Sequence, residues 1–340
     1  MLKKRIYYFY EEAQINDATS YYLNLIKEAA QLSGLEFVQE KTLDKVIKTD
    51  VILTITTTFY LHAKVKKPFN RTIFWAQGVE PDEAIMRGLN PRKIFFKRIV
   101  EAIAIKTSSL LIMVSKAQKD HYRKCYLFKG KNYFIMPCYN ISRRESHNFE
   151  KYKTPSFVYA GGLAKWQCID DMLETFKLIS QALPNATLKV FTGNTEEMNE
   201  LFRVHGVNNA SCEYVKLEDL QQRLSDYKYG FLLREENIVN HVATPTKMNS
   251  YLSAGLIPIF TTAVDAFKEY INLGNYSLIF ETPIDPIKIA KKIVKFENMP
   301  IDVDEINNNI DRIFNKYYND QCYLKPLSTQ LKNYVMSSHG

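Results

Sequence analysis

The sequence predicts an α/β protein made of two doubly wound domains, and three observations lead to that fold class. The chain has 340 residues, which is enough for two domains of ordinary size. Its composition, 46% hydrophobic and 24% charged, is typical of a globular protein rather than a disordered one. Short apolar runs alternate with segments of helical periodicity, and this alternation predicts parallel sheets with helices on both faces.

The first half opens with a predicted strand, a polar loop and a helix, which is how α/β domains commonly begin. The strand covers residues 3–10 and the helix residues 20–33. Further buried strands, rich in β-branched residues, are predicted at residues 51–56, 72–75, 110–115 and 135–137. A polar stretch then follows, and we interpret it as a linker. The first domain with its linker is therefore predicted to cover residues 1–150.

The second half alternates with greater regularity, and we predict a second domain over residues 151–300. Its strands are predicted at residues 157–161, 187–192, 211–215, 231–233, 256–260 and 277–280. Its helices are predicted at residues 169–183, 195–204, 218–227, 245–255, 264–271 and 286–296. Residues 301–340 carry isoleucines at helical spacing and form a tail of one or two helices.

One helix of the first domain, residues 90–106, allows two interpretations. Its apolar side chains fall on one face and its charges on the other; the apolar ones are Phe95, Phe96, Ile99, Ala102 and Ile103. Such a helix can lie on a bilayer surface. Packing of the apolar face on the sheet is the commoner arrangement in a doubly wound domain, and the sequence favours it.

The charge is uneven and points to an acidic partner for the first domain. Residues 1–150 hold 25 Lys+Arg against 15 Asp+Glu, net +10, whereas the remainder holds 20 against 22, net −2. No nucleic-acid-binding module is recognisable, so an anionic membrane surface or a lipid diphosphate is favoured over nucleic acid. No apolar run is long enough for a membrane-spanning helix, and a cytoplasmic protein is expected. Five cysteines without a CxxC pair predict neither a disulfide framework nor a zinc site.

Three segments carry candidate site residues, each at the end of a predicted strand. Thr244-Pro245 predicts a helix start in which Thr244 is the N-cap, so Thr246 and Lys247 lie in the first turn beside free backbone N–H groups. That arrangement predicts a phosphate site, although a capped helix with an exposed lysine gives the same pattern. Gly161-Gly162, followed by Lys165, lets the backbone approach a phosphate closely.

The third segment, at residues 77–82, follows the strand at residues 72–75, and it contains Gln77, Gly78 and Glu80. Ligands of open parallel sheets bind at the carboxyl ends of strands, so these residues are predicted to contact substrate. Gln77 cannot exchange a proton usefully, and we do not expect acid–base catalysis from it.

Ten residues between positions 234 and 255 form a pattern that resembles the donor-binding segment of GT-B-type retaining glycosyltransferases. The resemblance is strongest to family 4-like enzymes of bacterial capsule and O-antigen biosynthesis. The ten residues are Arg234, Asn240, Val242, Ala243, Pro245, Lys247, Tyr251, Leu252, Ala254 and Gly255. The resemblance implies two Rossmann-like domains with a cleft between them, and a tail returning to the first domain. It also implies a nucleotide-sugar donor bound by the second domain and a saccharide acceptor, lipid-diphosphate-linked, bound by the first.

The resemblance also implies roles for individual residues. Lys165, Lys247 and Arg234 are the predicted catalytic residues, which neutralise the leaving diphosphate or orient it. Donor contacts are predicted for Gly161, Gly162, Asn240, Pro245, Thr246, Ser250 and Tyr251. Gln77, Gly78 and Glu80 are predicted on the acceptor side.

The sequence departs from the family pattern at five positions and leaves rival functions open. Ser250 and Val242 stand where the family has carboxylates, and Gln77 stands where it often has a histidine. Gly162 and Gln167 stand where the family has the Arg and the Lys that clamp the phosphate. A catalytically degenerate nucleotide-sugar-binding or scaffolding protein is therefore an alternative, as are a nucleotide-sugar 2-epimerase and a nucleic-acid-binding protein. No metal and no cofactor is predicted, because the candidate site segments contain no Asp-x-Asp motif. The expected location is the cytoplasm, at the inner face of a membrane.

Overall fold

The computed structural model describes residues 4–11, 17–143 and 149–336. Contacts between Cα atoms divide the chain into two compact units. Unit 1 holds residues 1–139, 241–244 and 319–340, and unit 2 holds residues 140–240 and 245–318. The sequence places the domain boundary at residue 150 and the start of the tail at residue 301. Residues 144–148 of the predicted linker lie outside the described part of the chain.

Unit 1 contains a six-stranded sheet in which every described strand pairing is parallel. The strands are β1 (Arg5–Phe9), β2 (Glu36–Glu40), β3 (Val51–Thr54), β4 (Arg71–Ala76), β5 (Leu110–Met113) and β6 (Tyr133–Ile135). Their order in the sheet is β2-β1-β3-β4-β5-β6. The helices of this unit are α1 (Asp17–Leu32), α2 (Thr57–Lys66), α3 (Glu80–Met86), α4 (Pro91–Thr107), α5 (Lys116–Tyr126) and α14 (Asp320–Met336).

Unit 2 repeats the plan with a second parallel sheet in the order β12-β11-β10-β7-β8-β9. Its strands are β7 (Ser156–Ala160), β8 (Thr187–Phe191), β9 (Ala210–Glu213), β10 (Tyr229–Leu232), β11 (Ile257–Thr261) and β12 (Leu278–Phe280). Its helices are α6 (Ile169–Ala182), α7 (Thr195–His205), α8 (Leu217–Leu224), α10 (Thr246–Ser253), α11 (Asp265–Tyr270), α12 (Pro286–Glu297) and α13 (Val303–Lys316). The short helix α9 (Ile238–Val242) crosses the unit boundary.

Each unit has its own aromatic-rich core. In unit 1, Trp75 of β4 is fully buried, and its ring meets Tyr22 of α1 edge to face. Leu327 and Leu331 of α14 belong to the same cluster, so the last helix packs on α1. In unit 2, Phe157 stacks on Tyr229 with ring centroids 4.8 Å apart. Burial of such rings supplies much of the driving force for forming each unit.

The predicted α/β class and the two parallel sheets are confirmed. Sequence analysis missed β2, an edge strand in which no residue is fully buried and which therefore lacks a buried apolar run. It also missed helices α2, α3 and α5. The segment interpreted as a loop after β4 is partly helical, because α3 begins at Glu80. The tail forms two helices, α13 in unit 2 and α14 in unit 1.

The favoured interpretation of the helix at residues 90–106 is wrong. Its apolar side chains Phe95, Phe96, Ile99 and Ile103 point away from the protein and are exposed. The buried face consists of Val100, Glu101, Ala104 and Ile105. The reason is a polar anchor: the buried carboxyl group of Glu101 accepts hydrogen bonds from Tyr126 and from the backbone N–H of Glu80, which holds that side of the helix inward.

Substituting Gly230 by alanine should destabilise unit 2. A Cβ at Gly230 would lie 2.5 Å from the ring of Tyr251, and both residues are deeply buried in the β10–α10 contact. Overpacking of this kind costs about 1–3 kcal/mol of unfolding free energy. Gly193→Ala is the matched control, because no atom lies within 4 Å of its Cβ position. Thermal melts followed by circular dichroism should show a drop for Gly230→Ala only, and equal melting temperatures would contradict the packing argument.

Candidate functional site

The candidate donor site of unit 2 lies where the strand order reverses. The chain runs from β7 outward to β8 and β9, then returns so that β10 lies on the other side of β7. Gly161 follows β7, Arg234 follows β10, and α10 begins after the next loop. Ligands of doubly wound sheets bind at such a switch point, beyond the carboxyl ends of the strands.

Lys247, in the first turn of α10, reaches back to the end of β7. Its ammonium donates to the hydroxyl of Tyr159 at 3.1 Å and to Oε1 of Gln167 at 2.5 Å. The same ammonium lies 4.6 Å from the centroid of the Tyr159 ring. Burial lowers the pKa of Lys247 well below its ordinary value, and the nearby cation of Arg234 lowers it further.

Gly161 is the residue that allows this approach. A Cβ at Gly161 would lie 2.4 Å from Cε and 2.7 Å from Nζ of Lys247, and the φ angle of Gly161 is +144°. A side chain at this position would therefore collide with the lysine and strain the backbone. The paired signals Gly161 and Lys247, recognised separately in the sequence, form one structural feature.

Arg234 is a second buried cation at the same end of the sheet. Its Nη1 donates to the carbonyl of Trp166 at 2.7 Å. Its Nε is buried and has no hydrogen-bond partner among the described residues. Within that part of the chain, neither Arg234 nor Lys247 makes an ion pair. The buried Arg234 and the half-buried Lys247 therefore place two positive charges without a described counter-ion at this site.

The N-terminal end of α10 is open, and this corrects the predicted cap. The structure places Pro245 at the N-cap position, where no side chain caps the helix. Thr244 does not cap it, because its Oγ1 accepts a hydrogen bond from the backbone N–H of Cys138 at 2.8 Å. The half-buried Thr246 begins the helix. Uncapped N–H groups at a helix start bind anions, and the helix dipole favours negative charge there.

The C-terminal end of α10 is held by side chains of the segment that precedes β7. Arg143 donates to the carbonyls of Leu252 and Ser253, each at 3.3 Å. Lys151 donates to the carbonyl of Ala254 at 2.6 Å, and Tyr152 donates to the next carbonyl. Burial lowers the pKa of Lys151 to about 7. These donors occupy the negative end of the helix dipole and fix the helix in place.

Two predicted donor residues of α10 take part in internal hydrogen bonds. Ser250 is buried, and its Oγ donates to the carbonyl of Thr246 at 3.2 Å. The hydroxyl of Tyr251 joins two strands, donating to the carbonyl of Phe231 at 3.0 Å and accepting from the N–H of Ala160 at 3.1 Å. Tyr251 therefore positions α10 from within the core.

Asn240 orders the loop that follows Arg234. It is buried, and its Nδ2 donates to the carbonyl of Glu235 at 2.9 Å. Its backbone N–H donates to Oδ1 of Asn237, also at 2.9 Å. The contribution of Asn240 to the site is therefore the shape of the Glu235–Asn240 loop.

The loop after β7 separates Lys165 from Lys247. Gly162 is exposed, and its carbonyl accepts a hydrogen bond from Tyr159 at 2.6 Å. Lys165 begins a short 3-10 helix, Lys165–Gln167, with its side chain exposed to solvent. The structure therefore brings Lys247 and Arg234 together at the buried end of the loop and leaves Lys165 on its outer side.

One group of potential metal ligands lies next to this loop. Ligand atoms of Cys168, Asp171 and Glu235 lie within 4.8 Å of one another. Burial raises the pKa of the Cys168 thiol to about 12 in the metal-free protein. The three residues do not by themselves define a metal centre, because acidic groups often lie together without an ion.

The predicted acceptor loop of unit 1 is held by hydrogen bonds to its backbone. Gln77 is exposed, directly after β4. The carbonyl of Gly78 accepts from Nε2 of Gln118 at 2.8 Å and from the hydroxyl of Tyr122 at 2.9 Å. A Cβ at Gly78 would lie 2.3 Å from Oε1 of Glu83. Gly78 therefore packs closely against the Glu83 side chain of α3, and Gln77 is the residue of the pair that faces solvent.

Glu80 has a structural partner in α2. Its carboxylate accepts from the backbone N–H and the hydroxyl of Thr57, both at 2.8 Å, and from Lys97 at 3.2 Å. Its own N–H donates to the buried carboxyl of Glu101, whose pKa burial raises to about 8. Glu80 therefore joins the starts of α2 and α3, and a direct contact with substrate would compete with these bonds.

Sequence reasoning did not single out Tyr159 and Gln167 as partners of Lys247. Gln167 was considered only as the occupant of a family lysine position. The available signal is their placement, because Tyr159 lies one residue before the end of the buried strand β7 and Gln167 lies at the end of the following 3-10 helix. Both residues are therefore near the carboxyl edge of the sheet, where ligands of parallel sheets bind.

No protein-family model matches this sequence, and no curated protein matches it. Solved structures match over most of the chain. HepE of Anabaena, solved with UDP-glucose, superposes with a TM-score of 0.70 at 10% identity, over 97% of this chain and 99% of HepE. A mutant of TarM from S. aureus, solved with fondaparinux, α-GlcNAc-glycerol and UDP, gives 0.65 at 12%, over 87% of this chain.

A third match is the pneumococcal O-GlcNAc transferase GtfA, solved with UDP and GlcNAc. Its TM-score is 0.54 at 12% identity, over 85% of this chain. The matched regions are 57% of TarM and 55% of GtfA, so this chain spans little more than half of their length. These neighbours are GT-B glycosyltransferases with two Rossmann-like domains, and this chain has the same fold.

The buried carboxyl of Glu101 should make unit 1 lose stability as pH rises. Its pKa is about 8 in the folded protein against an ordinary value of 4.5. The folded state therefore holds the proton more tightly, and its contribution to stability declines between those two pH values by at most ~1.4 kcal/mol per pH unit. Glu101→Gln stays neutral throughout, so its melting temperature relative to wild type should rise across the window. A difference that is constant from pH 5 to pH 9 would contradict the assignment.

Proposed function

We propose that this protein is a glycosyltransferase that moves a sugar from a uridine-diphosphate sugar to a saccharide acceptor. One observation carries the proposal: the buried Arg234 and the half-buried Lys247 form a pair of cations, without a described counter-ion, at the open start of α10. A nucleotide diphosphate matches that site in charge, and binding it would offset the cost of holding the two cations out of water.

The mechanism follows from where negative charge develops. When the bond between sugar and diphosphate breaks, the leaving group gains charge on its phosphate oxygens. Lys247, the N–H groups of Thr246 and its neighbours, and Arg234 stabilise that charge more strongly than they stabilise the intact donor. The reaction proposed here needs no metal and no cofactor, since the protein supplies the positive charge. Retention of anomeric configuration is part of the proposal, supported by the resemblance of the donor segment.

The three structural neighbours support uridine as the base of the donor. HepE is described with UDP-glucose, and TarM and GtfA with UDP. The proposed donor site also includes Lys165, Gly162 and Ser250. Their contacts with the nucleotide-sugar would form only when it binds. The exposed Lys165 would meet the diphosphate through movement of its loop.

An apolar groove in unit 1 supports a lipid-linked acceptor. The groove encloses about 390 Å³ between the starts of α2 and α4. Its walls include Leu61, Leu89 and Val100, and three cations stand among its lining residues: Arg92, Lys93 and Lys97. Lys97 also bonds Glu80, so the groove adjoins the Gln77–Glu80 loop. An acyl or isoprenoid chain next to a diphosphate has this combination of apolar and anionic surface.

We propose the cytoplasm, at the inner face of a bacterial membrane, as the place of the reaction, with capsule or O-antigen synthesis as the pathway class. The resemblance of the donor segment supports the pathway class. All five cysteines are free thiols, as in proteins of reducing compartments. Among the described residues, no helix has the length and apolar content needed to cross a bilayer.

A second candidate is a nucleotide-sugar-binding protein that has lost catalysis. The observation that favours it is the buried hydroxyl of Ser250, whose hydrogen bond stays within α10. A ribose would then lack the carboxylate partner that the family pattern supplies. Binding of a UDP-sugar without transfer or hydrolysis would select this candidate.

Uridine nucleotides should raise the melting temperature of the protein. A ligand at 100 times its dissociation constant stabilises the native state by about 2.7 kcal/mol, since it binds the folded form only. We expect a shift with UDP and UDP-sugars and smaller shifts with GDP and CMP. Equal shifts with all nucleotides, or none at millimolar concentration, would count against a uridine donor.

Lys247→Ala should lower turnover at least about tenfold, because one of the charges that stabilise the leaving diphosphate is removed. The fold should survive, since the substitution removes a half-buried cation rather than core volume. Lys291→Ala, an exposed lysine on α12, is the matched control. Release of UDP from UDP-glucose, with and without saccharide acceptors, measures turnover. Wild-type rates in Lys247→Ala would refute the proposed role of the lysine.

A further inference from the structure

Helix α4 presents an apolar face that no described part of unit 1 covers. Phe95 is 67% exposed, Phe96 59%, Ile99 43% and Ile103 37%. Their spacing of three and four residues places them along one side of the helix, opposite the buried Glu101 side. A helix of 17 residues is about 25 Å long, so the stripe extends along most of its length. A continuous apolar stripe of this kind indicates a binding surface.

Cations stand at both ends of this stripe and beside it. Arg92 precedes Phe95 by three residues and Lys106 follows Ile103 by three, so both continue the same side of the helix. Lys93 and Arg98 lie at its flanks and are exposed. The helix contains one acidic residue, Glu101, and it is buried on the other side. The outward side of α4 is therefore purely apolar and cationic.

A cation-lined cavity adjoins the C-terminal end of the same helix. It encloses about 390 Å³, and Lys106 of α4 forms part of its wall. The other cations of the lining are Arg71, Lys129 and Lys131, and no acidic side chain lines it. The hydroxyl of Ser108, also in the lining, is buried without a hydrogen-bond partner among the described residues. Leu127, 71% exposed, stands at this cavity too.

We infer that α4 lies flat on an anionic bilayer, with its apolar stripe among the acyl chains and a lipid phosphate in the cavity at Lys106. The bilayer interface has the two layers that this surface matches, an apolar layer beneath a plane of phosphates. Long cationic side chains reach the phosphate plane while their neighbours are immersed. Nucleic acid would leave the aliphatic Ile99 and Ile103 without a partner. A second copy of the chain would bring these cations against the same cations.

The inference goes beyond the proposed reaction and is tested separately from it. Binding to vesicles requires neither donor nor acceptor, so its failure would leave the transferase proposal standing. If the protein binds vesicles but transfers no sugar, the membrane inference would stand and the transferase proposal would fail. If the protein both transfers sugar and binds vesicles, the groove at the start of α4 receives its lipid-linked acceptor from the same bilayer.

Sedimentation with vesicles measures the binding directly. Wild-type protein should bind vesicles of phosphatidylcholine mixed with phosphatidylglycerol, bind pure phosphatidylcholine weakly, and dissociate as salt is raised. The double variant Phe95→Ser with Ile99→Ser, and separately Lys129→Glu with Lys131→Glu, should each lose about tenfold or more in affinity. All four side chains are exposed, so melting temperatures should stay near wild type.

Two variants elsewhere serve as matched controls. Val204→Ser removes an exposed apolar side chain from α7, and Lys291→Glu reverses an exposed charge on α12. Neither should change vesicle binding. Undiminished binding by the Phe95/Ile99 variant, or an equal loss in the controls, would overturn the inference. A second outcome would also overturn it: the wild-type protein does not bind vesicles but self-associates in sedimentation velocity, and the Phe95/Ile99 variant does not self-associate. The occupant of the stripe would then be a second copy of the chain.

Discussion

The position of helix α10 is the constraint on which the donor side of this protein depends. Arg143, Lys151 and Tyr152 bind its last carbonyls, so the negative end of its dipole is compensated from one short segment. Asn249 fixes the same helix to that segment, because its amide bonds the backbone at Asn140 and Ile141. With one end held in this way, the other end projects its free N–H groups at the edge of the sheet.

The consequence at that edge is an electrostatic imbalance. Lys247 and Arg234 are held close enough for the charge of one to lower the pKa of the other. Burying two like charges is costly unless an anion neutralises them. The fold tolerates the imbalance because Gly161 and Tyr159 shape a recess for the ammonium, with a hydroxyl and an aromatic face as partners. An incoming diphosphate would complete the arrangement.

Unit 1 shows a different compromise, in which a helix buries a carboxyl group and exposes phenylalanine. Glu101 is retained inside because Tyr126 and the backbone of Glu80 satisfy its oxygens. That polar anchor sets the rotation of α4, and Phe95 is turned outward as a result. The rotation of α4 about its axis thus has two effects: it buries the carboxyl group of Glu101 and exposes the apolar side chains on the opposite face. Binding to an anionic bilayer, as we infer, would give the exposed side of α4 a partner.

Local patterns in the sequence determined the fold class, both parallel sheets and most strands, since periodicity and Gly/Pro signals act over a few residues. They also marked Gly161 and Lys247. Tertiary structure decided which partners these residues have. Lys247 donates a hydrogen bond to Tyr159, 88 positions away. Thr244 does not cap α10, because its hydroxyl oxygen accepts a hydrogen bond from the backbone N–H of Cys138. It likewise decided which side of α4 faces inward. The reason is that long-range partners and burial depend on how the whole chain packs. Periodicity shows only that the two faces of a helix differ in polarity, and it does not show which face is buried.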